Sequence, residues 1–427
     1  LTGMTYVLDE PSIGLHASDL DELISILHEL KEMGNTLLVV EHDPKIIMQA
    51  DHLIEMGPGA GRAGGEVIAS GKLQEVRENP QSLAARYLHA EFQPPPEKLL
   101  SYPGIRIKDA FANNLDIPEL QIPLGGIVGI TGVSGSGKSS LLFKVISASA
   151  RNRQPEGCLQ IEGLESFTQV LEVTQTALIT SHTSNAATIT GIFDRIREMF
   201  AKTEQAREQK LKKSHFSFNT KGGRCENCQG KGYINISLDF LTDVTVLCEE
   251  CKGKRYQDNI LQCKIHGKNI HEVLEMTIRE AAAFFKSQGK IEDALQLLQE
   301  VGLGYIQLGQ PTESLSGGET QRLKIARELM KQEKGKKLFL FDEPGTGLHA
   351  ADIVVLMKLF RKLLASGHSI MLIEHDPGII AQCHWVIDLG PAGGDRGGKV
   401  IGEGKPTEIA LNSNSLTGKV IKDYLRV

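Results

Sequence analysis

The feature that most constrains the fold is an internal repeat at a constant offset of 333 residues. "YVLDEPSIGLHASD" from residue 6 recurs as "LFLFDEPGTGLHAAD" from residue 338, and "NTLLVVEHDPKII" recurs as "HSIMLIEHDPGII". "IEMGPGAGRAGGEVIASGK" recurs as "IDLGPAGGDRGGKVIGEGK" without a gap. This register pairs three polar residues of the first copy with three of the second: Asp9 with Asp342, Glu10 with Glu343, and His42 with His375. The chain therefore contains two copies of one structural unit.

Each copy has the pattern of strand, loop, amphipathic helix, strand and loop. In the first copy a set of apolar residues recurs at helical spacing, and Gly34 ends the predicted helix; the set is Leu20, Leu23, Ile24, Leu27 and Leu30. Strands that alternate with amphipathic helices predict a parallel sheet with helices on its faces, which is the α/β class.

A phosphate-binding loop precedes the second copy. Residues 127–150 read "IVGITGVSGSGKSSLLFKVISASA", an apolar strand, a glycine-rich turn and a helix. The glycines allow backbone N–H groups to surround a β-phosphate, Lys138 reaches the β- and γ-oxygens, and the Ser139 hydroxyl completes a Mg²⁺ shell. The predicted nucleotide-binding residues are Gly132, Ser134, Gly135, Gly137, Lys138, Ser139 and Ser140.

The acidic strand "KLFLFDEP" supplies the remaining chemistry of a nucleotide hydrolase. Asp342 is predicted to hold Mg²⁺ through water, and Glu343 to orient or deprotonate the attacking water. His375, after the next strand, is predicted to reach the γ-phosphate or that water.

The first copy has the same chemistry in Asp9, Glu10 and His42, but only five residues precede its acidic strand, too few for a P-loop. We therefore expect these three residues to be the remainder of a first cassette whose P-loop and signature lie upstream of Leu1. The first residue is Leu rather than Met, so the coding sequence is expected to begin earlier.

"ESLSGGETQRLKIARELM", from residue 313, begins a helix with a second anion site. Its members are Ser316, Gly317, Gly318 and Glu319. The order of P-loop, "LSGGE", "LFLFDEP" and "IEHD" resembles the ATP-binding cassette superfamily, in which two cassettes pair head to tail. The resemblance implies that Gln175, in "VLEVTQT", is the glutamine that senses Mg²⁺, and that the signature closes on a P-loop of another cassette.

Four of the seven cysteines form two C-x-x-C pairs: Cys225, Cys228, Cys248 and Cys251. This spacing predicts a tetrahedral zinc site, and glycines after each pair free N–H groups to donate to thiolates. "YINISLDFLTDVTVL" between the pairs alternates as a β-hairpin, with a turn predicted near Thr242–Asp243. A zinc-binding chaperone domain needs four C-x-x-C-x-G-x-G repeats and does not fit, whereas a purely structural zinc staple remains an alternative.

The net charge of −6 predicts no general attraction to nucleic acid, but residues 202–255 contain eleven Lys/Arg and seven Asp/Glu. This local positive charge makes five residues candidates for DNA-phosphate contacts; they are Lys210, Lys212, Lys213, Lys221 and Arg224. A solvated basic face is the alternative.

These patterns predict a partial first cassette followed by a complete second one with an inserted zinc-binding subdomain. The predicted limits are 1–90 for the first cassette, 91–104 for a proline-rich linker, 105–176 for the P-loop part, 177–312 for the insert and 313–427 for the remainder. Short apolar runs exclude a membrane span, and the cysteine usage is typical of a reducing cytoplasm.

Six further stretches together resemble the UvrA family over essentially the whole chain: "YVLDEPSIGLH", "GNTLLVVEHD", "FSFNTKGGRCENCQGKG", "CKGKRY", "LGYIQLGQPTESLSGGETQRLKIARELM" and "DLGPAGGDRGGKVI". The resemblance implies a C-terminal half of a cytoplasmic, ATP-dependent DNA-binding protein of nucleotide excision repair. It further implies ATP, Mg²⁺ and Zn²⁺ as cofactors, damaged duplex DNA and a UvrB-like protein as partners, and pairing as a homodimer or with an N-terminal half.

Two departures from the family pattern leave alternatives open. "ALITSHTSNAATITG" has Thr180 and His182 where the family carries arginines, and the hairpin lacks a lysine near Asn235. The alternatives are a self-resistance paralogue related to UvrA and a non-catalytic remnant of a split gene. We expect the chain alone to bind ATP but to hydrolyse it poorly unless two copies pair head to tail.

Overall fold

The computed structural model describes residues 2–12, 20–57, 64–82, 85, 101–174, 184–238, 241–331, 335–348 and 350–425. Two compact units divide the chain: the first comprises Leu1–Gln175 and Glu333–Val427, and the second comprises Thr176–Gln332. The second unit starts at the predicted insert but also includes the signature helix Gly317–Met330. That helix packs against helices Ala186–Ile189 and Lys290–Glu300 of the same unit, which is why the division falls after it.

The described residues form fifteen β-strands. In chain order they are β1 Thr5–Asp9, β2 Thr36–Val40, β3 Leu53–Gly57, β4 Glu66–Gly71, β5 Ser101–Ala110, β6 Ile117–Leu124, β7 Ile127–Gly132, β8 Cys158–Glu162, β9 Gln169–Val173, β10 Tyr233–Leu238, β11 Leu241–Leu247, β12 Lys337–Asp342, β13 Ser369–Ile373, β14 Trp385–Gly390 and β15 Lys399–Gly404. β5 begins inside the predicted linker, most of which lies outside the described residues.

Helices of the first unit flank its strands: Leu20–Glu32, Pro44–Ile47, Leu73–Glu78, Ser140–Ser147 (with π-type hydrogen bonds), Ala148–Asn152, Ala350–Ala365, Pro377–Ile380, Pro406–Ala410 and Leu416–Leu425, with 3₁₀ turns at Leu164–Ser166 and Gly394–Arg396. Those of the second unit are Ala186–Ile189, Ile192–Ala201, Glu204–Glu208, Asp258–Leu261, Ile270–Leu274, Ile278–Phe284, Lys290–Glu300 and Gly317–Met330, with 3₁₀ turns at Lys213–Phe216 and Thr312–Ser314.

The strands of the second copy, β12 to β15, form a six-stranded sheet together with β7 and β9. The strand order is β15-β14-β7-β13-β12-β9. All pairings within it are parallel except that of β14 with β15. Every residue of β7 is buried, as expected for a central strand covered on both faces. One face packs on helix Ser140–Ser147 and on a three-stranded antiparallel sheet, β6-β5-β8, in a continuous apolar core. The predicted α/β cassette fold is therefore confirmed in this unit.

The first copy reproduces the strand pairing of the second, residue for residue. Val7 pairs with Leu38 in β1–β2, as Leu340 pairs with Met371 in β12–β13. The irregularity in β3–β4 between Glu55 and Met56 falls at the position equivalent to the one in β14–β15. In the second copy β7 joins both strand pairs into one sheet, whereas the described residues of the first copy form two separate two-stranded sheets.

As a consequence, one apolar face of the first copy is exposed. Six residues on β1 to β4 are roughly half-exposed or more: Val7, Leu38, Val40, Ile54, Met56 and Val67. Their counterparts in the second copy lie in or against the core under helix Ser140–Ser147: Leu340, Met371, Ile373, Ile387, Leu389 and Val400. We call the six exposed residues the open face.

The second unit is mainly helical and contains the antiparallel hairpin β10–β11. The sequence-based prediction of a turn near Thr242–Asp243 is wrong, because both residues belong to β11 and the chain reverses between Leu238 and Leu241. The observed register places Ile234 opposite Val246, and cross-strand pairs of branched apolar residues favour it.

Candidate nucleotide-binding and metal sites

The P-loop connects β7 to helix Ser140–Ser147 and has a backbone that only glycine tolerates at two positions. Gly132 has a φ of +128°, and a Cβ there would lie 2.0 Å from the Leu389 carbonyl oxygen. Gly137 has a φ of +103°, and its Cβ would lie 2.7 Å from Leu115 Cδ2. These close approaches explain why the loop needs glycine at both ends of its turn.

Lys138, in the same loop, lies along the backbone rather than in solvent. Its Nζ donates to the carbonyl oxygens of Gly132, at 2.8 Å, and Val133, at 2.9 Å. The side chain is 7% exposed, so the ammonium group is held at the loop that is predicted to surround the phosphates. Ser140, the residue after the predicted Mg²⁺ ligand Ser139, accepts a hydrogen bond from Asn113 at 2.7 Å.

Asn114, which no sequence motif indicated, supports the P-loop through hydrogen bonds. Asn114 Nδ2 donates to the carbonyl oxygens of Gly135, at 3.0 Å, and Gly394, at 2.9 Å. The N–H groups of Gly394 and Gly398 donate to Gly135 and Ser136 of the loop. These bonds fix the carbonyl groups of Gly135 and Ser136 and so hold the P-loop in one conformation.

The acidic residues after β12 lie close to the predicted switch histidine. Glu343 Oε1 is 3.4 Å from His375 Nε2, and Thr346 Oγ1 donates to Glu343 Oε2 at 3.3 Å. The hydrogen bond from His375 lowers the pKa of Glu343, although burial opposes this. Burial, and then the charge of Glu343, raise the pKa of Asp342, while the charge of Lys138 acts in the other direction.

Glu343 also has an unusual backbone conformation. Its φ is +45°, in the left-handed region that non-glycine residues rarely adopt, and Glu10 in the first copy has the same value. Such strain costs on the order of 1 kcal/mol or more and persists only where neighbouring contacts hold it. In the first copy the equivalent pair, Glu10 and His42, lies 3.2 Å apart.

Glu374, the residue before His375, was not indicated as functional by its sequence context. Its carboxylate is buried and accepts three backbone N–H groups: Gly345 at 2.6 Å, His375 at 2.8 Å and Asp376 at 3.1 Å. The identity of "EHDP" in both copies was a signal that could have drawn attention to it.

The signature residues begin the longest helix of the second unit's described part. Ser316 is the N-cap, and its hydroxyl and the carboxylate of Glu319 exchange hydrogen bonds with each other's backbone N–H. Tyr305 donates to the second oxygen of Glu319. Ser316 and Gly317 are exposed and Gly318 is buried, so the N-terminus of this helix is accessible to an anion. Gln175 lies outside the described residues, as do Thr180 and His182.

The four predicted metal-binding cysteines converge in the second unit. All four sulfur atoms lie within 4.8 Å of one another, and the residues are buried. Cys225 Sγ lies 3.8 Å from Cys248 Sγ, and Cys228 Sγ lies 3.6 Å from Cys251 Sγ. Sulfur atoms around a tetrahedral zinc ion with Zn–S bonds of about 2.3 Å lie about 3.8 Å apart, so the cluster fits zinc.

The backbone after each pair supports the same conclusion. Gln229 and Lys252, each one residue after a C-x-x-C pair, have φ values of +53° and +49° and turn the chain around the sulfurs. Gly232 N–H donates to Cys228 Sγ at 3.2 Å. Burial raises the pKa of Cys225 and that of Cys251. Burial acts in the same direction on Cys248, but N–H groups and neighbouring thiols outweigh it there and lower the pKa to about 7. Such donors favour thiolates, which are the form that binds metal.

The five candidate DNA-contact residues differ in how much charge they offer. Lys213 is paired with Glu198 at 2.9 Å, and Arg224 with Glu226 at 3.3 Å. Lys210, Lys212 and Lys221 are exposed. The exposed lysines are therefore the stronger candidates among the five.

Residues 115–346 match the family model described as "ABC transporter". The chain therefore belongs to this family of ATP-binding cassette proteins. None of the helices in the described ranges combines the length and the hydrophobicity needed to cross a membrane.

Similarity to individual proteins indicates a narrower group within this family. The chain is 48% identical to UvrABC system protein A of Aquifex aeolicus, over 100% of this chain and 47% of the relative. It is 47% identical to UvrABC system protein A of Thermus thermophilus, over 97% of this chain and 44% of the relative. The crystal structure of UvrA2 from Deinococcus radiodurans superposes with a TM-score of 0.93 and 41% identity, over 100% of this chain and 52% of that one. The predicted resemblance to the UvrA family is confirmed, and the chain spans about half the length of the curated relatives it matches.

Proposed function

We propose that this chain is an ATP-hydrolysing, DNA-binding part of a UvrA-like protein of nucleotide excision repair. The observation that carries the proposal is the convergence of the P-loop, the strained Glu343 and His375 in a chain that resembles UvrABC system protein A along its whole length. The full activity belongs to a protein about twice this length, so the roles in damage recognition and in loading a UvrB-like partner are part of the proposal.

In the proposed reaction the P-loop N–H groups and Lys138 bind the β- and γ-phosphates of ATP. Ser139 and Asp342 would hold Mg²⁺, which neutralises phosphate charge when bound. Glu343 orients the attacking water, and its lowered pKa keeps it ionised as a hydrogen-bond acceptor at neutral pH. His375 holds the Glu343 carboxylate and would reach the γ-phosphate.

We further propose that the Cys₄ cluster binds Zn²⁺ and that the lysines before it contact DNA phosphates. The signature at Ser316–Glu319 would close on the P-loop of another cassette, either in a second copy of this chain or in an N-terminal half of the same protein. The open face supports the second arrangement, because its counterpart in the second copy is covered by a P-loop helix. A cytoplasmic location agrees with free cysteines throughout.

The proposal is tested by steady-state ATP hydrolysis over a range of protein concentrations, with and without damaged duplex DNA. We expect activity to rise with protein concentration and with DNA, because the signature has to act on a second cassette. Glu343→Gln should lower kcat at least 100-fold while ATP binding stays within about threefold, since the general base and not the phosphate site is changed.

Glu403→Gln, an exposed carboxylate on β15, is the matched control and should leave both quantities unchanged. Hydrolysis that is fast, independent of protein concentration and insensitive to Glu343→Gln would contradict the proposed mechanism. Absence of both hydrolysis and DNA binding would favour the non-catalytic remnant instead.

A further inference from the structure

Glu374 joins two loops that the proposed hydrolysis needs in register. One loop follows Glu343 and contains Gly345, and the other begins with His375. Glu374 Oε1 accepts the Gly345 N–H at 2.6 Å, while Oε2 accepts those of His375 at 2.8 Å and Asp376 at 3.1 Å. We propose that Glu374 is a positioning residue that couples the loop after Glu343 to the switch histidine and is needed for hydrolysis without touching the nucleotide; this rests on the proposed function.

The two loops are thereby linked twice. The first link is direct, between the side chains of Glu343 and His375 at 3.4 Å. The second passes through the Glu374 carboxylate from the backbone of Gly345 to the backbone of His375. A displacement of either loop stretches both links, so the position of Glu343 and that of His375 depend on each other.

The same link also opposes the strain at Glu343. The Glu343 N–H donates to Ile373 O at 3.0 Å, which fixes the strained residue on its N-terminal side. Glu374 fixes the chain two residues later, at Gly345. The left-handed backbone of Glu343 is therefore held between two bonds to one short segment, Ile373–Glu374, and loss of one bond releases it.

The first copy gives an independent observation of the same arrangement. Glu41 accepts the N–H groups of Ser12 at 2.9 Å, His42 at 2.8 Å and Asp43 at 3.1 Å. Position 12 is serine where position 345 is glycine, so the network depends on backbone N–H groups and not on that side chain. Glu41 is half-buried whereas Glu374 is fully buried, yet the bonds to the following histidine and aspartate have the same lengths, 2.8 and 3.1 Å, in both copies. An arrangement that survives such different surroundings is built into the segment itself.

The link depends on both oxygens of the Glu374 carboxyl group. Burial, and then the charge of Asp376, raise the pKa of Glu374 to about 8, although the three N–H donors oppose this shift. Three N–H donors face two acceptor oxygens, and a glutamine offers one oxygen and an NH₂ group that cannot accept. Glu374→Gln keeps the size of the side chain but leaves at least one donor unpaired in a buried site. Gly345→Ala disturbs the same contact from the other side, because its Cβ would lie 2.5 Å from Glu374 Oε1; it would also lie 2.5 Å from Ile379 Cδ1, which has to move as well.

The test is a double-mutant cycle on the whole chain at a protein concentration where wild type is most active. We expect Glu374→Gln to lower kcat by about 10- to 100-fold and to change ATP binding by less than threefold. Gly345→Ala should have a similar effect, and the double variant should be no worse than the poorer single variant within about twofold, because both break one link. Glu403→Gln is again the control.

Amide hydrogen exchange adds a readout that does not need activity. Segments 344–347 and 375–377 should exchange at least tenfold faster together in Glu374→Gln, with no change in the P-loop segment 132–139. An unchanged kcat in folded Glu374→Gln, or multiplicative effects in the double variant, would overturn the proposal. If wild type does not hydrolyse ATP, the proposed function fails, and the exchange measurement alone then decides whether the two loops are coupled.

Discussion

At the scale of single residues, His384, which directly precedes β14, is bonded to the start of the central strand β7. Its Nδ1 accepts the N–H of Ile127, the first residue of β7, at 3.1 Å. The side chain is 6% exposed. Burial, together with the charge of Arg361, lowers the pKa of His384 to about 4. The neutral imidazole is thus part of the support of the strand that leads into the P-loop.

This depressed pKa predicts a loss of stability in acid. An unfolded histidine takes up a proton near pH 6.5 and the folded one only near 4, so the stabilisation is fully present above about pH 6.5 and declines as the pH falls towards 4. Between pH 7 and 4.5 we expect the free energy of unfolding to fall by about 2 kcal/mol from this group alone. Urea unfolding of wild type and His384→Gln at both pH values isolates it, because glutamine can accept the same N–H but does not titrate. Equal pH dependence in the two proteins would refute this assignment.

Residue-scale reasoning from the sequence identified groups whose chemistry is local. Lys138, Glu343 and the four cysteines are marked by their immediate neighbours, and the structure brings Glu343 and His375 together. Asn114 could not be identified in this way, because one of its acceptors, Gly394, is 280 residues away in the chain. Glu374 was overlooked because a buried carboxylate that bonds only to backbone N–H groups leaves no pattern in the side chains around it.

At the scale of elements, the cysteine cluster and the hairpin β10–β11 depend on each other. The hairpin has branched apolar residues that are about two-fifths exposed, including Ile234 and Val246, and a two-stranded hairpin of this kind has little stability of its own. The backbone N–H of Cys248 donates to the carbonyl oxygen of Gly232. This bond joins the ends of β10 and β11 to the two C-x-x-C turns. A metal ion bound at the cluster would therefore stabilise the base of the hairpin.

Removal of one cysteine ligand should loosen the hairpin β10–β11 while the rest of the chain stays folded. We expect wild type to contain one zinc ion per chain and Cys228→Ser to lose at least 90% of it, since three thiolates bind zinc far more weakly than four. Metal analysis measures the loss, and hydrogen exchange of residues 233–247 should rise in parallel. Cys263→Ser is the matched control, because Cys263 is equally buried in the same unit but lies outside the cluster. Zinc retained in Cys228→Ser would rule out this site.

The elements themselves were predictable because their signals repeat. The helix Leu20–Glu32 and the strands ending at Asp9 and Asp342 follow from residue spacings that occur twice in the sequence. The position of the hairpin turn was not, since it is fixed by which residues pair across the strands and not by the turn residues.

At the scale of the whole molecule, the two copies have the same backbone pairing but different surroundings. Ile54 is 57% exposed on the open face, whereas its counterpart Ile387 is 0% exposed beneath helix Ser140–Ser147. The sequence of each copy specifies the pairing, but the burial of a face depends on what lies against it. Sequence periodicity alone therefore does not distinguish the exposed face from the buried one.

The twin isoleucines make this difference measurable with one substitution type. Ile387→Ala should destabilise the chain by about 3 kcal/mol, because it leaves a cavity in a packed core. Ile54→Ala should cost less than about 0.5 kcal/mol, because little apolar surface is returned to water there. Urea unfolding of this chain measures both changes in stability. Equal costs at the two positions would mean that the open face is covered in solution.

The bonding around Glu41 and Glu374 has a consequence for how such proteins diversify. A duplication that copies this short segment copies a finished geometry, since the three N–H bonds form whether or not the neighbouring strand is present. The surroundings of the segment can then differ between copies, as the exposed face of the first copy and the buried face of the second do here. The two copies therefore share the hydrogen-bonded link between two loops, whereas the sheet around this link differs.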